Sequence, residues 1–311
     1  MGYDVSALQD YTKQNSAELV SAVVSGYKTA RVIEIQPGIK STADINIMDT
    51  DVKFQNDTCS FDADGTTSFK KRVITVGQIK VQEKLCPKDL NSKYLQLEMP
   101  MGSADDTVPF EKQYADLKIA KISAQNEIAL WRGDTASADA NLNKFDGFLK
   151  VIDAETDVID GNLSSATSIT STNVIGLMND MYRSIPSKLL SKENLTIMVG
   201  EDVFRTYTLA LITANLFHYD GKSSDMEIVL PGTNTKIMAL PGLNETNRMI
   251  AAVIGDNGEG NLVMGTDLAG EEDTFKMWYS EDQMAVLFST NYKLGAQVKI
   301  PSEIVEFTLS A

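Results

Sequence analysis

One histidine and two cysteines in 311 residues leave little material for metal or nucleophile chemistry. A structural zinc site takes four ligands, more than His218, Cys59 and Cys86 supply together. A Ser-His-Asp or Cys-His nucleophile would have to use His218. That residue sits in ANLFHYD, at the expected end of a helix, where an imidazole bonds the last carbonyls. Long apolar runs are missing too, and none approaches the roughly 18 residues of a membrane-crossing helix. The opening MGYDVSALQDYTKQ has neither the basic start nor the apolar core of a secretory signal. The expectation is a chain made and kept in a cytoplasm, where a disulfide is disfavoured. Bases are the third scarcity: 28 Lys and Arg stand against 43 Asp and Glu, for a formal charge of −15. Such a surface repels phosphates, which excludes nucleic-acid or anionic-membrane binding by the surface as a whole.

The informative patterns are architectural. In MAVLFSTNYKLGAQVKI (284–300), the even positions are apolar or amphipathic except Thr290. That is period two, the mark of a strand with one buried face. A two-residue hairpin loop would swap the parity of the buried set, and no swap occurs. The pattern predicts one strand of roughly 55 Å at about 3.3 Å per residue, with Gly295 absorbing a bend. PFEKQYADLKIAKISAQNEIALWRG (109–133) predicts a helix with Pro109 in its first turn and Gly133 as its stop. Phe110, Tyr114, Leu117, Ala120, Ala124, Ile128 and Trp131 form its apolar stripe. Two strand-like arms, ADINIMDTDVKFQ and SFKKRVITVGQIKV, flank DADG, and Asp64-Gly65 is the expected turn. A two-stranded ribbon of that length is marginal alone in water, so a neighbouring subunit is its natural cover.

The remainder reads as a short helix over 16–28 and a strand ending at Pro37-Gly38. A Ser/Thr/Asp-rich connection (153–172) precedes a mixed region of helices and short strands, with no internal repeat. The glycines of GDNGEG lack a following GK[ST] and carry Asp256 and Glu259, which repel phosphate, so they read as a turn. Arg132-Gly133-Asp134 coincides with the helix stop. Asp51, Asp57, Asp62, Asp64 and Asp256 do not have the spacing of a calcium loop. Trp131 and Trp278 read as packing residues. No catalytic, cofactor or metal residue is assigned, and no enzymatic activity is expected.

The ribbon, the long helix, the mixed lobe and the closing strand occur in the order of the major capsid protein of tailed bacteriophages, the Hong Kong ninety-seven type fold. EIALWRGD, FDGF, NLVMGTDL and FKMWYSEDQMAVLFSTNYKLGAQVKIPSEIVEF resemble that family's segments. The resemblance implies an α+β fold in five parts. These are an N-terminal arm and lead-in strand (1–40), an extended E-loop (41–100), a P domain (101–150) with its spine helix at 109–132, an A domain (151–280), and a P-domain return strand (281–311). It implies hexamers and pentamers of an icosahedral shell enclosing double-stranded DNA without sequence-specific binding, assembled in the bacterial host cytoplasm with no membrane. Some thirty residues precede the first strand, fewer than the scaffolding extension some relatives carry. A separate scaffold protein is therefore implied, or a processed chain, along with portal and accessory capsid proteins. The candidate subunit-contact residues are Phe54, Phe61, Phe69, Lys70, Lys71 and Arg72; covalent crosslinking through the lysines is not expected. An encapsulin-like nanocompartment shell is the first alternative, and a soluble α/β enzyme with its site at 170–280 the second.

Overall fold

The computed structural model describes residues 19, 21–24, 26–56, 64–85, 110–214, 226–230, 232–255, 258–267 and 275–310. In chain order come β1 (Glu34–Gln36), β2 (Thr42–Thr50), β3 (Thr67–Thr75) and β4 (Gly77–Leu85). A long helix α1 (Phe110–Arg132) and a short α2 (Phe148–Asp153) follow. Next are β5 (Ile159–Asp160), α3 (Val174–Ser184), β6 (Leu195–Val199), α4 (Glu201–Thr213), β7 (Glu227–Val229), β8 (Lys236–Ala239) and β9 (Met249–Val253). The chain closes through β10 (Leu262–Thr266), β11 (Lys276–Ser280), β12 (Ala285–Val298) and β13 (Val305–Phe307).

β12 is the long strand that the period-two pattern predicts. Its even residues from Val286 to Val298 are buried, Thr290 included. Met284 turns out of the strand at φ +47 and stays exposed. β4 pairs with β12 from Leu85↔Val286 to Gly77↔Leu294 along one edge. β11 and then β10 pair along the other, and β1 lies parallel to β10. Among the described strands, β12 pairs with β4, β10 and β11 and ties them into a sheet, with β1 added through β10. Gly295 marks a close backbone approach: a Cβ there would collide with Thr75 O. β4 is drawn onto β12 beyond Val76, and β10 and β11 belong to the same sheet. Without them both edges of β12 would bury unpaired N–H and C=O groups.

The second sheet has six strands in the order β5-β13-β9-β6-β8-β7. β6 and β9 are buried along their whole length. They read as continuous apolar runs because both faces are covered. Leu195, Ile197 and Val199 pack against Leu177, Met181 and Phe204 of α3 and α4. Met198, Ile250 and Ala252 face the other way, into a core shared with Leu130, Trp131 and Phe148 of α1 and α2.

α1 runs over the expected span, but its buried face is rotated from the predicted stripe. Leu117, Ala120 and Ala124 are exposed. Ala115, Ile122, Ser123, Asn126, Glu127, Ala129 and Leu130 are buried. Three polar residues go inward because partners meet them there. Asn126 Nδ2 donates to Val23 O at 3.0 Å, and Tyr292 Oη donates to Asn126 Oδ1 at 2.7 Å. Ser123 Oγ donates to Ala22 O at 3.1 Å. Glu127 accepts from Thr29 N–H at 3.0 Å and Thr29 Oγ1 at 2.5 Å, and Trp131 Nε1 donates to that hydroxyl at 2.9 Å. Burial pushes the Glu127 carboxyl up, against the pull of the Thr29 bonds. A buried polar group without such bonds would cost a few kcal/mol.

Candidate functional site

The ribbon is built by β2 and β3, antiparallel from Thr42↔Thr75 to Thr50↔Thr67. The register continues outward. Asp51 N–H bonds Thr66 O at 2.9 Å, and Lys53 Nζ pairs with Asp64 Oδ1 at 3.0 Å. Asp64-Gly65 therefore belongs to the returning arm and is not the turn. The residues that join the arms, with Cys59 and Phe61 among them, lie outside the described residues, as do Cys86 and His218.

Alternation gives the ribbon two unlike faces. On one, Ile45 and Ile74 are buried against Ile39, Val76 and Val263, which seats the base of the ribbon on the body. On the other, Met48 lies across from Phe69, Val73 precedes them, and Val52 and Phe54 continue the same parity. All five are exposed, Phe69 at 76% and Phe54 at 101%. An apolar face of this kind marks an interaction site. Phe54 and Phe69 are thus brought onto one bare face. Lys71 shares it, with Nζ 2.6 Å from Asp44 Oδ2. Lys70 and Arg72 fall on the opposite face. Arg72 is engaged at home: its guanidinium grips both oxygens of Glu155, with Nη2–Oε2 at 2.9 Å. These bonds hold the Glu155 carboxyl below the usual range. The pair braces the ribbon against the segment after α2. Met48, Val52 and Val73 were not singled out from the sequence; the alternation of each arm, read with the pairing register, identifies them.

A second charged cluster ties α2 to the six-stranded sheet. Arg248, just ahead of β9, meets Asp153 of α2 and Glu306 of β13. Burial pushes Glu306 up to about 7; Arg248 pulls it down, while Asp153 and Asp160 push it up. Among the described residues, no three His, Cys, Asp or Glu side chains are placed to hold a metal ion. No described helix is long and apolar enough to cross a membrane.

A scan of protein-family models and a search of curated proteins find no match to the sequence. Solved structures match nearly the whole chain. One is a chain of the procapsid of satellite phage P4, which includes the size determination (Sid) protein. It is 12% identical, with 99% of this chain and 92% of that chain covered and a TM-score of 0.60. The capsid of an empty GTA particle matches at 12% identity, 93% and 90% coverage and a TM-score of 0.55. The virus-like particle from Pyrococcus furiosus matches at 10% identity, 96% and 100% coverage and a TM-score of 0.51. The chain has the mixed helix-and-sheet fold of these phage capsid proteins, as the sequence resemblance implies.

Proposed function

We propose that the chain is a major capsid protein, a structural subunit that self-assembles into the hexamers and pentamers of an icosahedral phage shell around double-stranded DNA. The observation that carries this reading is the ribbon. It is seated on the body by Ile45 and Ile74, and leaves Met48, Val52, Phe54, Phe69 and Val73 bare. A monomer gains nothing from such a face; a neighbouring copy would cover it. The full-length likeness to capsid chains supports the same conclusion.

The family's parts then map onto the chain. The lead-in to β1 is the N-terminal arm, and β2–β3 with the residues between them is the E-loop. α1 with the five-stranded sheet is the P domain, and the six-stranded sheet with α3 and α4 is the A domain. A separate scaffold protein, a portal and accessory capsid proteins belong to this reading, as does assembly in the host cytoplasm. A second reading, an encapsulin-like shell, rests on the likeness to the virus-like particle, which extends over all of that chain. Shortening the ribbon tests both. Joining Ile47 to Lys70, opposed in the register, through Asn-Gly removes the bare half and keeps Ile45, Arg72 and Ile74. The shortened chain is expected to fold with an unchanged circular dichroism spectrum and to form no shells. Normal shells from it would contradict the proposal.

A further inference from the structure

A chain in which acids outnumber bases 43 to 28 carries a recess that no Asp or Glu lines. The recess, of about 270 Å³, lies between β4, the middle of α1 and the turn at 140–144. Lys118, Lys121 and Gln125 share one face of α1 there, at spacings of three and four. Asn141 and Lys144 come from the turn. On β4, Ile79 lies opposite Tyr292 and Lys80 opposite Asn291, so Ile79 faces the recess and Lys80 the other side of the sheet. Two neighbouring acids are engaged: Glu83 with Lys118, and Asp139 with the Asn141 N–H at 2.9 Å. Lys121 and Lys144 make no ion pair among the described residues. The apolar floor is already used by the body, with Ile122, Ala129 and Tyr292 buried. What the recess turns to solvent is Lys121, Asn141 and Lys144, all exposed, with Lys118 and Gln125 half-buried beside them. All five carry N–H donors, and the three lysines carry positive charge.

Such a site suits a ligand that presents acceptors and negative charge and buries little apolar surface. An acidic peptide with an apolar anchor would find the floor closed. A phosphodiester backbone needs only the donors: lysines neutralise phosphates as point charges, and Asn and Gln amides bond the free oxygens. We infer that the recess holds the phosphate backbone of double-stranded DNA. Contacts of this kind position a duplex and carry no sequence information. The face of α1 that bears Lys118 and Lys121 then looks into the shell. The contact is local, and the formal charge of −15 on the chain keeps it weak in a single copy. Repetition over the many copies of a shell makes it effective.

This inference rests on the shell reading, and DNA binding tests it separately. The purified full-length chain is titrated into two labelled duplexes of unrelated sequence, and fluorescence anisotropy is read from about 0.02 to 0.15 M salt. The parent should bind both duplexes alike, with log affinity falling linearly against log salt. Lys121→Gln with Lys144→Gln should weaken binding at least about tenfold at the lowest salt and reduce the salt slope by about two, one for each lysine. Lys121→Arg with Lys144→Arg keeps the charge and should restore both. Lys236→Gln with Lys276→Gln removes the same charge elsewhere and should change the slope by less than about one. All four lysines are exposed, so the melting temperatures should match the parent's. No duplex binding by the parent, a recess variant that binds like the parent, or a control pair that loses as much would overturn the inference. So would polyglutamate that binds the parent through the same lysines more tightly than the duplex does, which would make the recess a site for an acidic protein. Light scattering keeps the two claims apart, because shells are expected without DNA and the recess variant should assemble like the parent. Shells without duplex binding would remove the recess assignment and leave the shell reading; duplex binding by a chain that forms no shells would overturn the shell reading.

Discussion

Glu306 and Glu127 are carboxyls folded into places that disfavour their charge. Glu306 shares Arg248 with Asp153 and is pushed up to about 7, chiefly by burial. Its folded value lies above the ordinary glutamate value near 4.3. The folded chain therefore holds this proton between about 4.5 and 7, where the unfolded chain has lost it. The contribution is fully present below about 4.5 and is lost as pH rises through about 7. Denaturant titrations from pH 4.5 to 7.5 should show a falling component of at most about 1.4 kcal/mol per pH unit. Glu306→Gln should flatten it; an unchanged slope in that variant would count against the assignment. Glu127 acts through its hydrogen bonds. Glu127→Ala leaves the Thr29 N–H without its carboxylate partner and should cost about 1–3 kcal/mol in the same titration. Glu127→Gln, which keeps an acceptor, should cost less. His218, expected from the sequence at a helix end and not in a catalytic role, should tolerate His218→Gln with light-scattering assembly curves unchanged.

At the scale of elements, β12 and its neighbours explain why the ribbon stands where it does. Thr75 O crosses at Gly295, and Ile74 is buried completely. Gly295→Ala should force the two backbones apart and lower stability by about 1–3 kcal/mol, the usual cost of overpacking. Thermal unfolding would check it, and a variant as stable as the parent would show that the strands can yield. Much of this was legible in the sequence. The parity of 284–300 identified β12, and the spacing with Pro109 and Gly133 delimited α1. What failed were decisions made by tertiary partners. The apolar spacing on α1 favoured Leu117, Ala120 and Ala124, while hydrogen bonds from the segment at 22–29 and from Tyr292 drew Ser123, Asn126 and Glu127 inward. Asp64-Gly65 carries a strong turn signal, yet the Lys53–Asp64 pair and the Asp51–Thr66 bond extend the register past it. Hydrophobic pattern fixes register weakly where both faces of a strand pair meet solvent.

For the whole molecule, charge and apolar area oppose each other. Copies of formal charge −15 repel, and salt screens that repulsion, with a Debye length near 10 Å at 0.1 M and about 3 Å at 1 M. Apolar burial at about 25 cal/mol per Å² favours contact through faces such as Met48, Val52, Phe54 and Phe69. Added salt should therefore promote assembly, whereas phosphate contacts with DNA would weaken steeply. The most direct measurement is negative-stain electron microscopy of the purified, nuclease-treated chain at about 0.05 and 0.5 M salt, a range over which screening changes severalfold. The account predicts closed shells of regular size without DNA, more abundant at the higher salt. Monomers alone at both salt levels, or particles that need DNA and vanish with salt, would contradict it.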